Sequence, residues 1–195
     1  TKYSLKKLKV GHAGTLDPLA SGLLIICTGR FTKKISELQV QEKIYTGNIT
    51  LGGTTASYDL ETEIDTKFET NHISESLIKE TTIQFIGEID QKPPIFSALK
   101  RGGERLYKKA RRGEIFEIEA RKVNVHSFDI KAIEMPKVSF EITCNKGTYI
   151  RSIAHDFGTA LNSGAHLSKL CRTAIGSYQL TNALDLSDFE KQLNS

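Results

Sequence analysis

The sequence predicts an α+β fold: a mixed, mainly antiparallel sheet with flanking helices. Three observations carry this. Lys43 to Leu51 and Val138 to Cys144 alternate apolar and polar residues with the two-residue period of a half-buried strand. Ile150, Ile153, Ala154, Phe157, Ala160 and Leu161 instead recur at helical spacing and make one apolar stripe. Hairpin-like strands mixed with scattered helices, with no internal repeat, imply a largely antiparallel sheet.

Taken in order, the first feature is Gly11-His12-Ala13-Gly14-Thr15-Leu16-Asp17-Pro18-Leu19-Ala20-Ser21-Gly22, a Gly- and Pro-rich turn around one carboxylate, Asp17. A residue before proline is pushed out of helical geometry, so Asp17 is expected to sit extended in a bend. The apolar run Leu23 to Cys27 reads as a buried strand, and about Thr32 to Leu38 as a short polar helix. In the strand Lys43 to Leu51, Tyr45, Gly47, Ile49 and Leu51 share one face, and Thr46, Asn48 and Thr50 the other. Gly52-Gly53 ends it. Thr54 to Asn71 is polar and acidic and reads as mostly irregular. Ser74 is the expected N-cap of a helix carrying Leu77, Ile78, Thr81, Thr82 and Phe85, with Gly87 as its stop.

Lys92 to Ser97 is extended, because its two prolines do not fit a helix interior. A second helix runs from about Gly103 to Arg112 and closes at Gly113. Strands are expected from Glu114 to Ala120, from Val123 to Lys131 and, after the break at Met135-Pro136, from Val138 to Cys144. The striped helix follows Lys146-Gly147, and Asn162 and Gly164 cap it. A strand from about Leu170 to Tyr178 and a polar tail with a short helix complete the chain.

The 195 residues suit one substantial domain, and 38% hydrophobic with 26% charged residues describe a soluble globular protein. No run approaches the roughly 20 apolar residues of a membrane helix. Cys27, Cys144 and Cys171 are odd in number and form no CxxC pair, so neither a disulfide framework nor a zinc site is expected, and a reducing cytoplasm fits. The chain opens at Thr1 on a basic stretch and reads as lacking its natural N-terminal segment. Net charge is +4, but Lys100, Arg101, Arg105, Lys108, Lys109, Arg111 and Arg112 stand against Glu104 alone, so that window carries +6 and the remainder −2. Positive charge gathered in this way points to a polyanion, with a solvated helix face as the plain alternative.

Arg151 opens the striped helix on the flank away from its apolar face, toward the sheet end or solvent. An arginine there would pair bidentately with a carboxylate such as Asp17 and fix its orientation. Spacing alone leaves the ordinary readings open: Asp17 in an Asp-Pro turn, Tyr45 in the core, Arg151 on the surface.

The run Gly11 to Gly22 resembles the catalytic loop of the bacterial tRNA pseudouridine-55 synthases, the TruB family. The resemblance continues, collinearly and at matching spacing, through Lys43-Ile44-Tyr45, Pro94 to Lys100, Arg105-Leu106-Tyr107, Cys144 to Arg151 and Gly164 to Arg172. It implies a single catalytic domain over 1–195 that isomerises the uridine at position 55 in the TΨC loop of tRNA. Asp17 is then the catalytic nucleophile or base and Arg151 its ion-pair partner. Tyr45 stacks on the target base, and Tyr149 and Leu170 belong to the base pocket. His12, Lys100, Arg105, Lys108, Lys109, Arg111, Arg112 and Arg172 are expected to bind RNA.

The resemblance implies a reaction that needs no cofactor and no metal; nothing in the sequence demands a partner subunit, so no obligate protein partner and a monomer are expected. An RNA-gripping insertion is expected at about 54–112, and no PUA-type RNA-binding domain follows Tyr178. A dyskerin-like synthase guided by a small RNA is the nearer rival, and the Leu19-Ala20-Ser21 context argues against it. An RNA-binding module without chemistry is the more distant one. The presence of both Asp17 and Arg151 argues against that.

Overall fold

The computed structural model describes residues 8–97, 99–114 and 117–194, with the backbone alone for Lys100, Arg101, Arg111, Leu193 and Asn194. The elements are β1 (Val10–His12), β2 (Ala20–Gly22), β3 (Ile26–Thr28), α1 (Ile35–Val40), β4 (Lys43–Leu51), β5 (Gly53–Thr55), β6 (Ile64–Lys67), α2 (Glu75–Thr81) and β7 (Gly87–Gln91). They continue with β8 (Lys100–Arg101), β9 (Glu104–Arg105), α3 (Leu106–Arg111), β10 (Arg121–Glu134), β11 (Lys137–Cys144), α4 (Ile150–Ala160), β12 (Ala165–Ile175), β13 (Tyr178–Gln179) and α5 (Leu186–Asn194).

The central sheet has seven strands in the order β13-β12-β4-β11-β10-β7, with β2 attached to β12. Every pairing in it is antiparallel except β2 with β12, so the sheet is mixed and mainly antiparallel. Strict alternation in β4 and β11 sets their register, because a one-residue slip would turn Ile49, Val138, Phe140 and Ile142 away from the core. On the buried face lies α4, whose Ile150, Ile153, Ala154, Phe157 and Leu161 meet the sheet. Phe157, Phe128 and Phe85 pack there with ring centres 5.3 to 6.2 Å apart, and each buried Phe contributes roughly 1.5–3 kcal/mol. Gly158 permits the close approach of α4 to β12, since a Cβ there would stand 2.4 Å from the Ala165 nitrogen.

The caps follow the expected chemistry. Ser74 Oγ accepts the Leu77 N–H at 3.2 Å at the start of α2. At the end of α4, Asn162 adopts φ 51° while the Ser163 N–H reaches the Gly158 carbonyl at 3.0 Å and the Asn162 N–H the Thr159 carbonyl at 3.0 Å, a Schellman closure.

Several expectations are corrected. The run Leu23 to Cys27 is not one buried strand. Pairing begins only at Ile26, which is exposed, because β1 and β3 form a separate two-stranded ribbon that buries Cys27 alone in β3. The polar helix begins as a 3₁₀ turn over Gly29–Lys34 before α1. Thr54 to Asn71 contains the β5–β6 hairpin, and the helix expected from Gly103 is confined to α3 by the small hairpin of β8 and β9. Of the strand expected from Glu114 to Ala120, residues 115 and 116 lie outside the described residues and 117–120 are irregular. The last long strand starts at Ala165, where the Schellman turn hands the chain directly to β4.

Candidate active site

Asp17 stands on the loop between β1 and β2. Its carbonyl accepts the Ala20 N–H at 3.0 Å, closing a turn with Pro18 at the position where a fixed φ is favoured. β2 then pairs in parallel with β12, placing Ala20, Ser21 and Gly22 opposite Leu170, Cys171 and Arg172. Gly22 has φ 105°, and a Cβ there would lie 2.3 Å from the Arg172 carbonyl oxygen, so the parallel pairing requires glycine.

Arg172, expected to bind RNA, is 2% exposed. Its Nε donates to the Leu23 carbonyl at 2.9 Å, Nη2 to Gly14 at 3.2 Å and Nη1 to Thr15 at 3.4 Å. The side chain faces inward because the antiparallel pairing of β12 with β4 sets it beneath the Asp17 loop, which it staples to the sheet.

Arg151 is likewise 3% exposed rather than turned to solvent. Its Nε and Nη2 donate to the two carboxylate oxygens of Asp17 at 2.9 and 3.0 Å, a bidentate pair across 134 positions of sequence. Nη1 donates to the carbonyls of Ser57 at 3.2 Å and Phe96 at 3.1 Å. A second carboxylate, Asp59, lies 3.5 Å from Arg151 Nε and is almost fully buried. Sequence reasoning missed Asp59, which lies in the Thr54 to Asn71 stretch read as mostly irregular. The one local signal lies in the fold, where Tyr58 takes the left-handed conformation (φ 64°), uncommon for a bulky residue, and stacks on His155 with ring centres 3.9 Å apart.

An open cleft of about 540 Å³ lies beside Asp17 and is lined by Tyr45, Tyr149 and Leu170, three residues expected there. Tyr45 enters from β4 on the same face as Ile49 and Leu51 and packs, partly buried, against the core. Burial pushes its phenol above the ordinary tyrosine range. Lys43, Arg121, Lys122, Lys146 and Arg172 also line the cleft, five cations against the single carboxylate of Asp17. Burial and the neighbouring Arg172 hold the Lys43 ammonium below its ordinary range. Arg121 lies 4.8 Å from the centre of the Tyr149 ring and donates to the Gly147 carbonyl. The cleft cations fall outside the basic window 100–112 and come from β4, β10, β12 and the turn after β11, far apart in the sequence, so no charge run announces them.

Among the described side chains, the other expected RNA-binding residues do not line the cleft. His12 is exposed on β1, outside the lining. Arg105 and Lys108 are exposed and Lys109 is half-buried near α3. Arg112 is committed to Glu104 at 2.7 and 2.8 Å and to Glu114 at 2.6 and 2.8 Å, so part of the window's charge is neutralised internally. The side chains of Lys100 and Arg111 lie outside the described residues. Among the described residues no cluster of three or more His, Cys, Asp and Glu is placed to hold a metal, and no helix is long and apolar enough to cross a membrane.

Residues 2–150 match the family described as TruB family pseudouridylate synthase (N terminal domain). The chain is 63% identical over 188 residues to the tRNA pseudouridine synthase B of Flavobacterium johnsoniae, covering 96% of this chain and 82% of that protein. The tRNA pseudouridine synthase B of Phocaeicola vulgatus is 47% identical over 193 residues, covering 99% and 82%. Among solved structures, a chain of a Cbf5-Nop10-Gar1 complex superposes with a TM-score of 0.69 at 29% identity, covering all of this chain and 50% of that one. A chain of an H/ACA RNP bound to a substrate RNA containing 2′-deoxyuridine gives 0.67 at 27% identity, covering all of this chain and 49% of that one.

Proposed function

The chain belongs to the TruB family of pseudouridylate synthases, and on that premise we propose that it converts the uridine at position 55 of the tRNA TΨC loop to pseudouridine at the Asp17 cleft. The bidentate Asp17–Arg151 pair at the edge of that cleft is the observation that carries the reading. The reaction breaks the N1–C1′ bond, turns the uracil, and joins C5 to C1′. C5 then loses its proton and N1 gains one, so the net change is an isomerisation.

Asp17 supplies the group that attacks and later leaves, or that removes the proton. Arg151 occupies both of its oxygens from behind and holds them at one orientation toward the cleft. Taking the uridine out of its stack costs a few kcal/mol, and stacking on Tyr45 offsets about 1–3 kcal/mol of this. Leu170 and Tyr149 complete an apolar wall for the ring. Of the cleft cations, Arg121, Lys122 and Lys146 reach solvent and attract the RNA backbone. The segment 99–112, carrying Arg105 and Lys108, is the part of the 54–112 stretch to which this reading assigns RNA gripping, since α2 and β7 within that stretch pack on the core. The enzyme acts as a cytoplasmic monomer in this reading.

The test is tritium release from tRNA transcribed with 5-³H-uridine, comparing the parent with Asp17→Asn. Release by the parent alone, lost when the TΨC-loop uridine is replaced, is the expected result. A parent that binds tRNA without release overturns the enzyme reading and leaves an RNA-binding module.

A further inference from the structure

α4 opens without a side-chain cap of its own: Tyr149 precedes it in extended geometry (φ −95°, ψ 110°). Both backbone groups of Tyr149 are nevertheless paired. Gln91, the last residue of β7 and 1% exposed, donates from Nε2 to the Tyr149 carbonyl at 3.1 Å and accepts the Tyr149 N–H on Oε1 at 2.8 Å. A neighbouring strand pairs both groups of one residue in this way. Here one side-chain amide does it across 58 positions of sequence.

The segment after Gln91 continues along the same helix end. The Lys92 carbonyl accepts Ser152 Oγ at 2.7 Å, and the Phe96 carbonyl accepts Arg151 Nη1 at 3.1 Å. The ring of Tyr149 faces the cleft that holds Asp17 and Tyr45. An apolar side chain in place of Gln91 would leave the Tyr149 N–H without its acceptor, and the Tyr149 backbone would be held from the helix side by the Ile153 N–H on its carbonyl at 3.2 Å.

We propose that Gln91 is a positioning residue for the reaction, setting Tyr149 in the base pocket through this two-point pairing. It does not touch the cleft: Gln91 acts through Tyr149. The inference rests on the function proposed above. A parent enzyme without tritium release defeats that function, whereas an active parent puts only the role of Gln91 at stake.

The experiment is a double-mutant cycle. Gln91→Met keeps length and burial and removes both hydrogen bonds, and it is measured in the parent and in a Tyr149→Ala background. Single-turnover tritium release and the Kd for tRNA are read for all four proteins. The expected result is a rate loss of about 10- to 100-fold for Gln91→Met, as a misplacement of about 1 Å produces. Kd should stay within about twofold, and the loss should shrink to about twofold or less once Tyr149 is alanine. Equal losses in both backgrounds, a loss in Kd alone, or a rate within about twofold of the parent overturns the proposal. Should Gln91→Met fail to fold, Gln91→Asn, which keeps a polar amide but is one methylene too short to pair both Tyr149 groups, runs the same cycle with the same criteria.

Discussion

Replacing Arg151 with lysine keeps a cation at the centre of the site and removes its shape. The guanidinium reaches both Asp17 oxygens at 2.9 and 3.0 Å with Nε and Nη2, and two carbonyls with Nη1. A lysine carries its donors on a single atom and does not span these four acceptors. At least one charge-assisted bond to Asp17 is lost, and such bonds contribute about 1.5–3 kcal/mol. Asp17 is 35% exposed, so water replaces part of the loss and about 1.5–2 kcal/mol is the appropriate share. In the proposed reaction that loss falls on the orientation of Asp17 and so appears in the barrier.

At roughly tenfold per 1.4 kcal/mol, single-turnover tritium release should slow about 10- to 30-fold. The Ser57 and Phe96 carbonyls, left without their donor, should lower stability as well by about 1–3 kcal/mol. For a chain of this length that is a fall of roughly 2–4 °C in Tm per kcal/mol. The assay is single-turnover release at saturating enzyme, with a thermal melt of the same preparation. A rate within about twofold of the parent in a well-folded Arg151→Lys protein would refute the orienting role.

Three further predictions follow from the same geometry. Asp59→Asn removes the second carboxylate 3.5 Å from Arg151, and release should slow by about tenfold, the equivalent of one 1.4 kcal/mol step, with tRNA affinity unchanged in a filter-binding assay. Gly22→Ala places a Cβ 2.3 Å from the Arg172 carbonyl at φ 105°; the backbone strain alone should lower stability by about 1–3 kcal/mol in a denaturant titration. Burial pushes the Cys144 thiol up to about 11 from an ordinary 9.0. A raised folded-state value means stability fully present below pH 9 and lost as pH rises through about 11, so Tm should fall across that window, and Cys144 should resist iodoacetamide at pH 8 in the native protein.

The strands β4 and β11 and the helix α4 were legible because their signals are local. A period of two or of 3.6 along a few residues states which face is buried, and Ser74 and Asn162 mark helix ends by chemistry confined to one turn. Asp17 and Arg151 were legible only through the resemblance of their surrounding motifs. Spacing alone placed Arg151 toward solvent. Its burial depends on carbonyls from residues 57 and 96, which no helical wheel contains.

Asp59, Gln91 and Arg121 gave no sequence signal, and nothing local in the sequence placed Arg172 beneath the Asp17 loop. Each acts by a contact made far along the chain: Gln91 across 58 positions, Arg172 across 149 to Leu23. An arginine reads as surface charge until a strand pairing puts it beneath a loop.

By itself, then, the sequence determined the α+β class, the core faces of its main strands and helix, and the turn that presents Asp17. Those follow from periodicity and backbone stereochemistry, which act between near neighbours. Only the tertiary structure decided which polar groups meet. It buried Arg151 between two carboxylates, turned Arg172 into the staple of the Asp17 loop and set Gln91 against Tyr149. Those partners are chosen by sheet register and helix docking, and a buried polar group takes whichever partner the fold brings within hydrogen-bonding distance.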